Sequence, residues 1–181
     1  MLVVLEGLEG VGKTTMGLKA AARLGAEYVK SPPPELNSVR AFVASSANAN
    51  VNFYFYLAGL HAIQNRIGLG IAERGCVIVD RYLSSTIAYH DAGHSFDAPP
   101  FDDSALRKPD FLVRVTCDET LRRSRIADRG LHIYERSSCD EEAIDGYLAN
   151  TCDIEIRNDG SLEDAINRLV ELIAERLGKN K

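Results

Sequence analysis

The residues best suited to chemistry in this chain form a glycine-rich loop, GLEGVGKT at 7–14, directly after an apolar run. Glycines let a backbone curl until several N–H groups point at one anion, and a helix that starts at the end of the loop adds the positive end of its dipole. The Lys13 ammonium suits the β- and γ-phosphates of ATP, and the Thr14 hydroxyl is a ligand for Mg²⁺. A plain turn between strand and helix is the alternative, but the spacing fits a P-loop at every fixed position. The predicted ATP-binding residues are Gly7, Glu9, Gly10, Val11, Gly12, Lys13, Thr14 and Thr15, with Lys13 also catalytic.

A second charged pair, Asp80 and Arg81, follows the apolar run CVIV at 76–79. The carboxylate can hold Mg²⁺ directly or through water, and the guanidinium can clamp a phosphate with two hydrogen bonds. A carboxylate that can bind a metal ion, next to a guanidinium that can bind a phosphate, suits an enzyme with two anionic substrates better than one with a single anionic substrate. A structural ion pair at the end of the strand is the alternative. The predicted metal ligands are therefore Thr14 and Asp80.

The elements that must position these groups alternate between short apolar strands and helical patterns. We predict strands over 2–5, 27–29, 76–79, 111–115 and 154–156, and helices over 14–24, 52–73, 120–128, 141–150 and from residue 162 onward. This order predicts an α/β fold: a three-layer open parallel sheet of five strands flanked by helices. Ligands of such sheets bind outside the carboxyl ends of the strands, where both charged groups would lie.

The composition limits the function classes. The chain has 181 residues, 45% hydrophobic and 26% charged, which suits a single domain over 1–181. No apolar stretch approaches the roughly 20 residues that span a bilayer, and the net charge of −5 argues against a dedicated nucleic-acid binder. The four cysteines have no metal-ligand spacing, which fits reduced thiols in a cytoplasm. No basic leader precedes the first apolar run, so we expect no signal peptide.

Three stretches resemble the thymidylate kinase family: EGLEGVGKTT at 6–15, the segment from FYFYLAGL to STIAYH at 53–90, and KPDFLVRVTCDETLRRSRIADRG at 108–130. The resemblance implies the P-loop nucleoside triphosphate hydrolase fold and an enzyme that moves the γ-phosphoryl group of ATP, with Mg²⁺, to a nucleoside monophosphate such as dTMP. It also implies a cytoplasmic homodimer that pairs through its long helices.

The same resemblance implies roles for individual residues. Arg81 would hold the acceptor phosphate, and Asp80 would organise the metal. Glu9 would face the acceptor sugar. An aromatic wall against the base could be supplied by Tyr56 or Phe53, with packing in the core as the alternative for both. The remaining residues that would line the acceptor pocket are Ser85, Thr86 and Tyr89.

Two positions depart from the family pattern on the acceptor side. The family carries a base-reading arginine about 20 residues before the aspartate, where this chain has Leu60. The loop after the second strand reads KSPPP at 30–34 and lacks the family's arginine, so Lys30 or Arg40 could substitute. Both departures favour a rival function, a kinase of another small phosphorylated or hydroxyl acceptor. A nucleotide-hydrolysing switch protein is a further alternative.

An arginine cluster at 122–136 predicts a short arginine-rich lid over about 125–140. Guanidinium groups that close over a migrating phosphoryl group stabilise its charge and exclude water. Arg125 and Arg129 lie four apart on one helix face and are the predicted catalytic members, with Arg136 a further candidate. We expect Arg122 and Arg123 to be solvated. A charged surface helix is the alternative for the cluster, and the turn at 158–160 is either an adenine-contacting loop or a plain turn.

Overall fold

The computed structural model of the chain describes residues 1–46, 48–91, 99–129 and 140–179. The strands are β1 (Leu2–Glu6), β2 (Glu27–Lys30), β3 (Val77–Asp80), β4 (Phe111–Thr116) and β5 (Ile154–Arg157). The helices are α1 (Lys13–Leu24), α2 (Asn37–Ser45), α3 (Ala49–Ala62), α4 (Gln64–Arg74), α5 (Leu83–Asp91), α6 (Glu119–Arg129), α7 (Glu141–Thr151) and α8 (Leu162–Lys179), with a 3-10 turn at Pro34–Leu36.

The five strands form one parallel sheet in the order β2-β3-β1-β4-β5, which confirms the predicted architecture. Strand β1 lies at the centre, and all five of its residues are buried. Leu5 of β1 pairs with Asp80 of β3, so these two strands end side by side. The glycine-rich loop and Asp80 therefore leave the same edge of the sheet at adjacent points.

Each face of the sheet carries its own apolar core, because alternate residues of a strand point to opposite faces. Val3 and Leu5 pack with Met16 of α1 and Ile166 of α8 on one face. On the other face, Leu2 and Val4 join a cluster contributed largely by α3 and α4, with Phe53, Leu57, Leu60, Ile63 and Ile67. Burial on both faces explains why β1 reads as an uninterrupted apolar run.

The predicted single helix over 52–73 is wrong, because the chain divides it into α3 and α4 at Ile63, where φ is −90° and ψ is −6°. The side-chain amide of Gln64 donates to the Leu60 carbonyl (2.8 Å) and to the Tyr82 hydroxyl (2.9 Å), an alternative to the regular helical pattern at this point. The apolar stripe nevertheless continues across the break. Over the described ranges, the structure contains no helix long and apolar enough to cross a membrane.

The loop after β2 packs directly on α3. A Cβ atom added to Gly59 would lie 3.0 Å from Pro32 Cβ and 3.3 Å from Pro32 Cα, so a larger residue here would have to move the proline by a few tenths of an ångström. The contact fixes how far the KSPPP loop stands from α3, which is the boundary of the predicted acceptor side.

Candidate active site

The glycine-rich loop has a backbone that other residues could not adopt. Gly7 has a φ of 139° and Gly12 a φ of 97°. A Cβ atom on Gly7 would lie 2.3 Å from the Val115 carbonyl oxygen, and one on Gly12 would lie 2.4 Å from Asn158 Nδ2. Both the backbone angle and the close neighbours therefore require glycine, as the predicted anion cradle does.

Lys13, the first residue of α1, turns back over the loop that precedes it. Its Nζ donates to the carbonyl oxygens of Gly7 (2.9 Å) and Leu8 (2.6 Å), and the residue is 6% exposed. Burial, followed by the nearby Arg81 charge, lowers the pKa of Lys13 to about 7 against the opposing effect of the surrounding carboxylates. Phosphate oxygens in the loop would replace the weaker carbonyl partners and stabilise the ammonium form.

Thr14 and Asp80, the predicted metal ligands, are in direct contact. Thr14 Oγ1 donates to Asp80 Oδ2 at 2.5 Å, and the Tyr28 hydroxyl donates to the same oxygen at 3.0 Å. Burial, followed by the Asp80 charge, raises the pKa of Tyr28, so the phenol remains a donor. A hydroxyl and a carboxylate are the hard oxygen donors that suit Mg²⁺, which takes its other ligands from phosphates and water. Sequence reasoning missed Tyr28.

Arg81 lies one residue beyond Asp80 in a left-handed backbone conformation, with φ at 69°. This conformation costs a non-glycine residue about 1–2 kcal/mol. The Arg81 guanidinium donates to Ser85 Oγ (3.1 Å) and to the Tyr89 hydroxyl (3.1 Å), and its central carbon lies 4.8 Å from the centre of the Tyr89 ring. The guanidinium is therefore held by Ser85 and Tyr89 of α5, two of the residues predicted to line the acceptor pocket. It lies at the same edge of the sheet as the phosphate loop.

This combination of phosphate loop, paired metal oxygens and adjacent guanidinium agrees with the comparison with known proteins. The family model described as thymidylate kinase matches residues 5–151. The chain belongs to the thymidylate kinase family. Thymidylate kinases from Xanthomonas campestris and Xylella fastidiosa are each 30% identical over 141 residues, covering 72% of this chain and 62% and 67% of theirs. The chain thus spans a little over six tenths of the length of the first of these curated relatives.

Solved structures share the fold at lower identity. A thymidylate kinase from Candida albicans superposes with a TM-score of 0.69 at 18% identity, covering 97% of this chain and 91% of its own. A deoxyadenosine kinase from M. mycoides, solved with dCMP and dCDP, gives a TM-score of 0.67 at 18% identity and covers both chains completely. These likenesses support the sheet order and the helix arrangement of this thymidylate kinase family member.

Glu6, the last residue of β1 in this family member, is a fully buried carboxylate. It accepts hydrogen bonds from the backbone N–H groups of Tyr82 (3.0 Å) and Ser85 (3.2 Å) and from the Ser85 hydroxyl. Burial raises the pKa of Glu6, whereas the Ser85 hydrogen bond and the Arg81 charge lower it. Sequence reasoning assigned Glu6 no role beyond the family motif, although an acidic residue directly after the apolar run Leu2–Leu5 is itself a signal.

Arg125, the first residue of the predicted lid, contacts the turn after β5. Arg125 Nη2 donates to the Asn158 carbonyl (3.2 Å) and Nη1 lies 3.5 Å from the Val11 carbonyl, which also accepts from Asn158 Nδ2 at 2.8 Å. Asn158 is 1% exposed, so this turn packs on the phosphate loop rather than lying free. The side chain of Arg129 and all of Arg136 lie outside the described residues.

The expectation that Arg122 is solvated is wrong. Its side chain is 3% exposed, and it donates to Glu119, to Glu141 and to the Glu9 carbonyl oxygen of the phosphate loop. The guanidinium lies between the first residue of α7, Glu141, and the phosphate loop, and both accept its hydrogen bonds. Arg123, which shares Glu119 as a partner, is 75% exposed as expected.

The acceptor side is only partly assembled from the predicted residues. Tyr56 is half-buried, and the Arg40 guanidinium carbon lies 5.9 Å from the centre of its ring. Leu60 is fully buried in the apolar core on the α3 side of the sheet. The Thr86 hydroxyl donates to the carbonyl of Tyr82, the residue before α5 (3.3 Å), and the Lys30 side chain is exposed.

Proposed function

We propose that this protein transfers the γ-phosphoryl group of ATP to a nucleoside monophosphate, of the kind represented by dTMP, and releases ADP and the nucleoside diphosphate. The observation that carries the proposal is the adjacency of two anion sites. Thr14 of the phosphate loop bonds Asp80 at 2.5 Å, and Arg81 follows Asp80 directly. A donor phosphate chain and an acceptor phosphate would therefore meet at the ends of β1 and β3.

The residues divide the work by charge. The loop N–H groups and Lys13 hold the β- and γ-phosphates. Thr14 and Asp80 would hold Mg²⁺, which when bound neutralises charge on the phosphate oxygens. Arg81 holds the acceptor phosphate, whose attacking oxygen is already ionised at neutral pH and needs no separate base.

The lid arginines stabilise the negative charge that develops on the γ-phosphoryl group during transfer. Arg125 is the described candidate, since its guanidinium already lies against the phosphate loop. Arg129 lies one helical turn further along α6 and completes the predicted catalytic pair. The lid would occupy about 125–140 within a single domain over 1–181.

On the acceptor side, Glu9 would face the sugar, and the half-buried Tyr56 would supply an apolar wall for the base. Ser85, Thr86 and Tyr89 form the α5 side of the pocket. With Leu60 in the core, no family-type arginine reads the base from α3. We therefore propose a wider tolerance of the acceptor base, with Arg40 beside Tyr56 as the basic residue nearest that wall.

We also propose a cytoplasmic homodimer, as the family resemblance implies. Apolar side chains are exposed on α2 and α3, including Phe42 at 74% and Tyr54 at 46%. Such a patch on helices is typical of a surface that a second copy covers. Light scattering of the purified protein tests this proposal, and a concentration-independent monomer would contradict it.

The test of activity is an ADP-release assay with Mg·ATP and a panel of nucleoside monophosphates. We expect turnover with at least one deoxynucleoside monophosphate, strong loss in Arg81→Ala, and near-normal turnover in Arg66→Ala. Arg66 is an apt control because its guanidinium pairs with Glu27 on the exposed outer side of β2. Turnover with no monophosphate refutes the proposal.

A second candidate is a kinase of another small phosphorylated or hydroxyl acceptor. It is favoured by the buried Leu60 and by the proline-rich loop that packs on Gly59. The same assay separates the two, because this candidate gives ADP only when a non-nucleotide acceptor is supplied. ADP release at the same slow rate with and without any acceptor would instead favour the nucleotide-hydrolysing switch.

A further inference from the structure

The Ser85 hydroxyl links the buried carboxylate of Glu6 to the guanidinium of Arg81. The hydroxyl donates its only proton to Glu6 Oε2, and its oxygen accepts from Arg81 Nη1 at 3.1 Å. A hydroxyl has one donor and two acceptor positions. Because the Ser85 proton is directed at Glu6, the hydroxyl oxygen turns a lone pair toward the Arg81 guanidinium.

Glu6 also fixes the backbone on both sides of this contact. Its other oxygen, Oε1, accepts from the N–H groups of Tyr82 and Ser85, which flank the start of α5. Arg81 itself is in the left-handed region, with its N–H bonded to the Leu5 carbonyl at 2.9 Å. One carboxylate at the end of β1 thus holds the turn from Arg81 to Ser85 in position and orients the hydroxyl that bonds the guanidinium.

The location of this carboxylate is informative because folding alone does not require a charge there. A fully buried acid is costly to desolvate, and apolar residues of similar size often stabilise a protein equally well. Glu6 is 0% exposed, and its carboxylate oxygens accept only from the Arg81–Ser85 turn in the hydrogen bonds described. The bonds it makes are directed at the residue proposed to hold the acceptor phosphate.

We propose that Glu6 is a positioning residue for the acceptor side, which acts through the Ser85 hydroxyl to aim the Arg81 guanidinium at the acceptor phosphate. The proposal rests on the proposed function in assigning that phosphate to Arg81. In this proposal Ser85 does not contact the acceptor directly. Its hydroxyl bonds the Arg81 guanidinium, and the guanidinium binds the acceptor phosphate.

The first test is Ser85→Ala, which removes the link and leaves the Ser85 N–H bond to Glu6 in place. The variant loses the hydrogen bond between the charged Arg81 guanidinium and the neutral hydroxyl. We therefore expect its acceptor KM to rise roughly 10-fold or more, while its KM for ATP stays within about 2-fold. Ser84→Ala is the matched control, since Ser84 is also buried on the same turn of α5 but lies outside this network. Equal acceptor KM values in the two variants would overturn the proposal.

A double-mutant cycle distinguishes the relay from two independent effects. Glu6→Gln keeps the shape of the side chain, but its amide can donate to Ser85 Oγ and so compete with Arg81. If Glu6 acts through Ser85, the combined variant has an acceptor KM no higher than that of the worse single variant. Effects that multiply would mean that Glu6 and the Ser85 hydroxyl act on the acceptor side independently, which contradicts the relay.

Arginine NMR of the free protein separates failure of this relay from failure of the proposed function. The relay predicts that rotation of the Arg81 guanidinium is slowed in the unmodified protein and becomes faster in Ser85→Ala, whether or not a monophosphate is a substrate. Identical Arg81 signals and rotation in the two proteins would overturn the relay. Inactivity toward every monophosphate would refute the proposed acceptor class alone.

Discussion

Replacing Arg122 by methionine tests whether the buried arginine between α6 and α7 holds the nucleotide side of the protein together. The guanidinium reaches three acceptors: Glu119, Glu141 and the Glu9 carbonyl. Methionine retains most of the aliphatic stem, so the change isolates the loss of these bonds. Arg123→Met is a matched control, because Arg123 also bonds Glu119 but is 75% exposed.

The expected cost follows from exposure. Hydrogen bonds to charged groups contribute about 1.5–3 kcal/mol each, but Glu119 and Glu141 are 52% and 48% exposed and regain water when the arginine is lost. We therefore expect a loss of about 2–3 kcal/mol of unfolding free energy for Arg122→Met. The exposed pair in the control is worth less than about 1 kcal/mol.

Differential scanning fluorimetry measures this difference. For a chain of this size, each kcal/mol shifts the melting temperature by about 2–4 °C, so Arg122→Met should melt roughly 5–10 °C lower and the control within about 3 °C. Affinity for a non-hydrolysable ATP analogue should also fall in Arg122→Met alone, because the Glu9 carbonyl belongs to the phosphate loop. If both variants melt together, the buried cluster contributes no more than an exposed pair, and this reasoning is refuted.

Four further changes have defined outcomes. Tyr28→Phe removes a donor to Asp80, and we expect roughly 10-fold weaker Mn²⁺ binding to the ATP-analogue complex, measured by electron paramagnetic resonance. Arg125→Ala should lower kcat about 10³-fold with analogue binding little changed, and an unaltered kcat removes Arg125 from the mechanism. Gly12→Ala should weaken analogue binding at least about tenfold by calorimetry, through its backbone angle and the Asn158 contact. Leu60→Arg should lower the melting temperature by roughly 10 °C without improving the KM for dTMP, because it buries an unpaired charge.

The donor half of the site could be predicted from sequence because its geometry is mostly backbone. Glycine spacing determines the loop, and the rule that parallel strands end at one edge brings Asp80 to Thr14. The sheet of five parallel strands follows from the same alternation of elements. Local pattern and topology together were therefore sufficient for the five strands and for the contact between Thr14 and Asp80.

Contacts made by long side chains across the fold were not predictable in this way. Arg122 is buried by a partner 19 residues away, in a helix whose packing no local pattern reveals. Glu6 meets Ser85 across 79 residues. The break at Ile63 depends on a glutamine that bonds Tyr82, which lies in a different element. Each depends on distances that only the assembled fold determines.

The acceptor half of the site also depends on contacts that local sequence patterns do not reveal. Leu60 is the clearest example. Position 60 is fully buried against the sheet, with the break at Ile63 and the Gly59–Pro32 contact on either side. Leu60 is thus part of the apolar core, and its position has no open space in which an arginine could reach a base. Under the proposed function, Arg40 of α2 beside the Tyr56 ring would be the basic residue nearest the base, whereas Arg81 would hold the acceptor phosphate. That proposal assigns the phosphate chemistry and the choice of base to separate elements, and it predicts that a substitution at Arg40 changes the preference for the base without changing the contact between Arg81 and the acceptor phosphate.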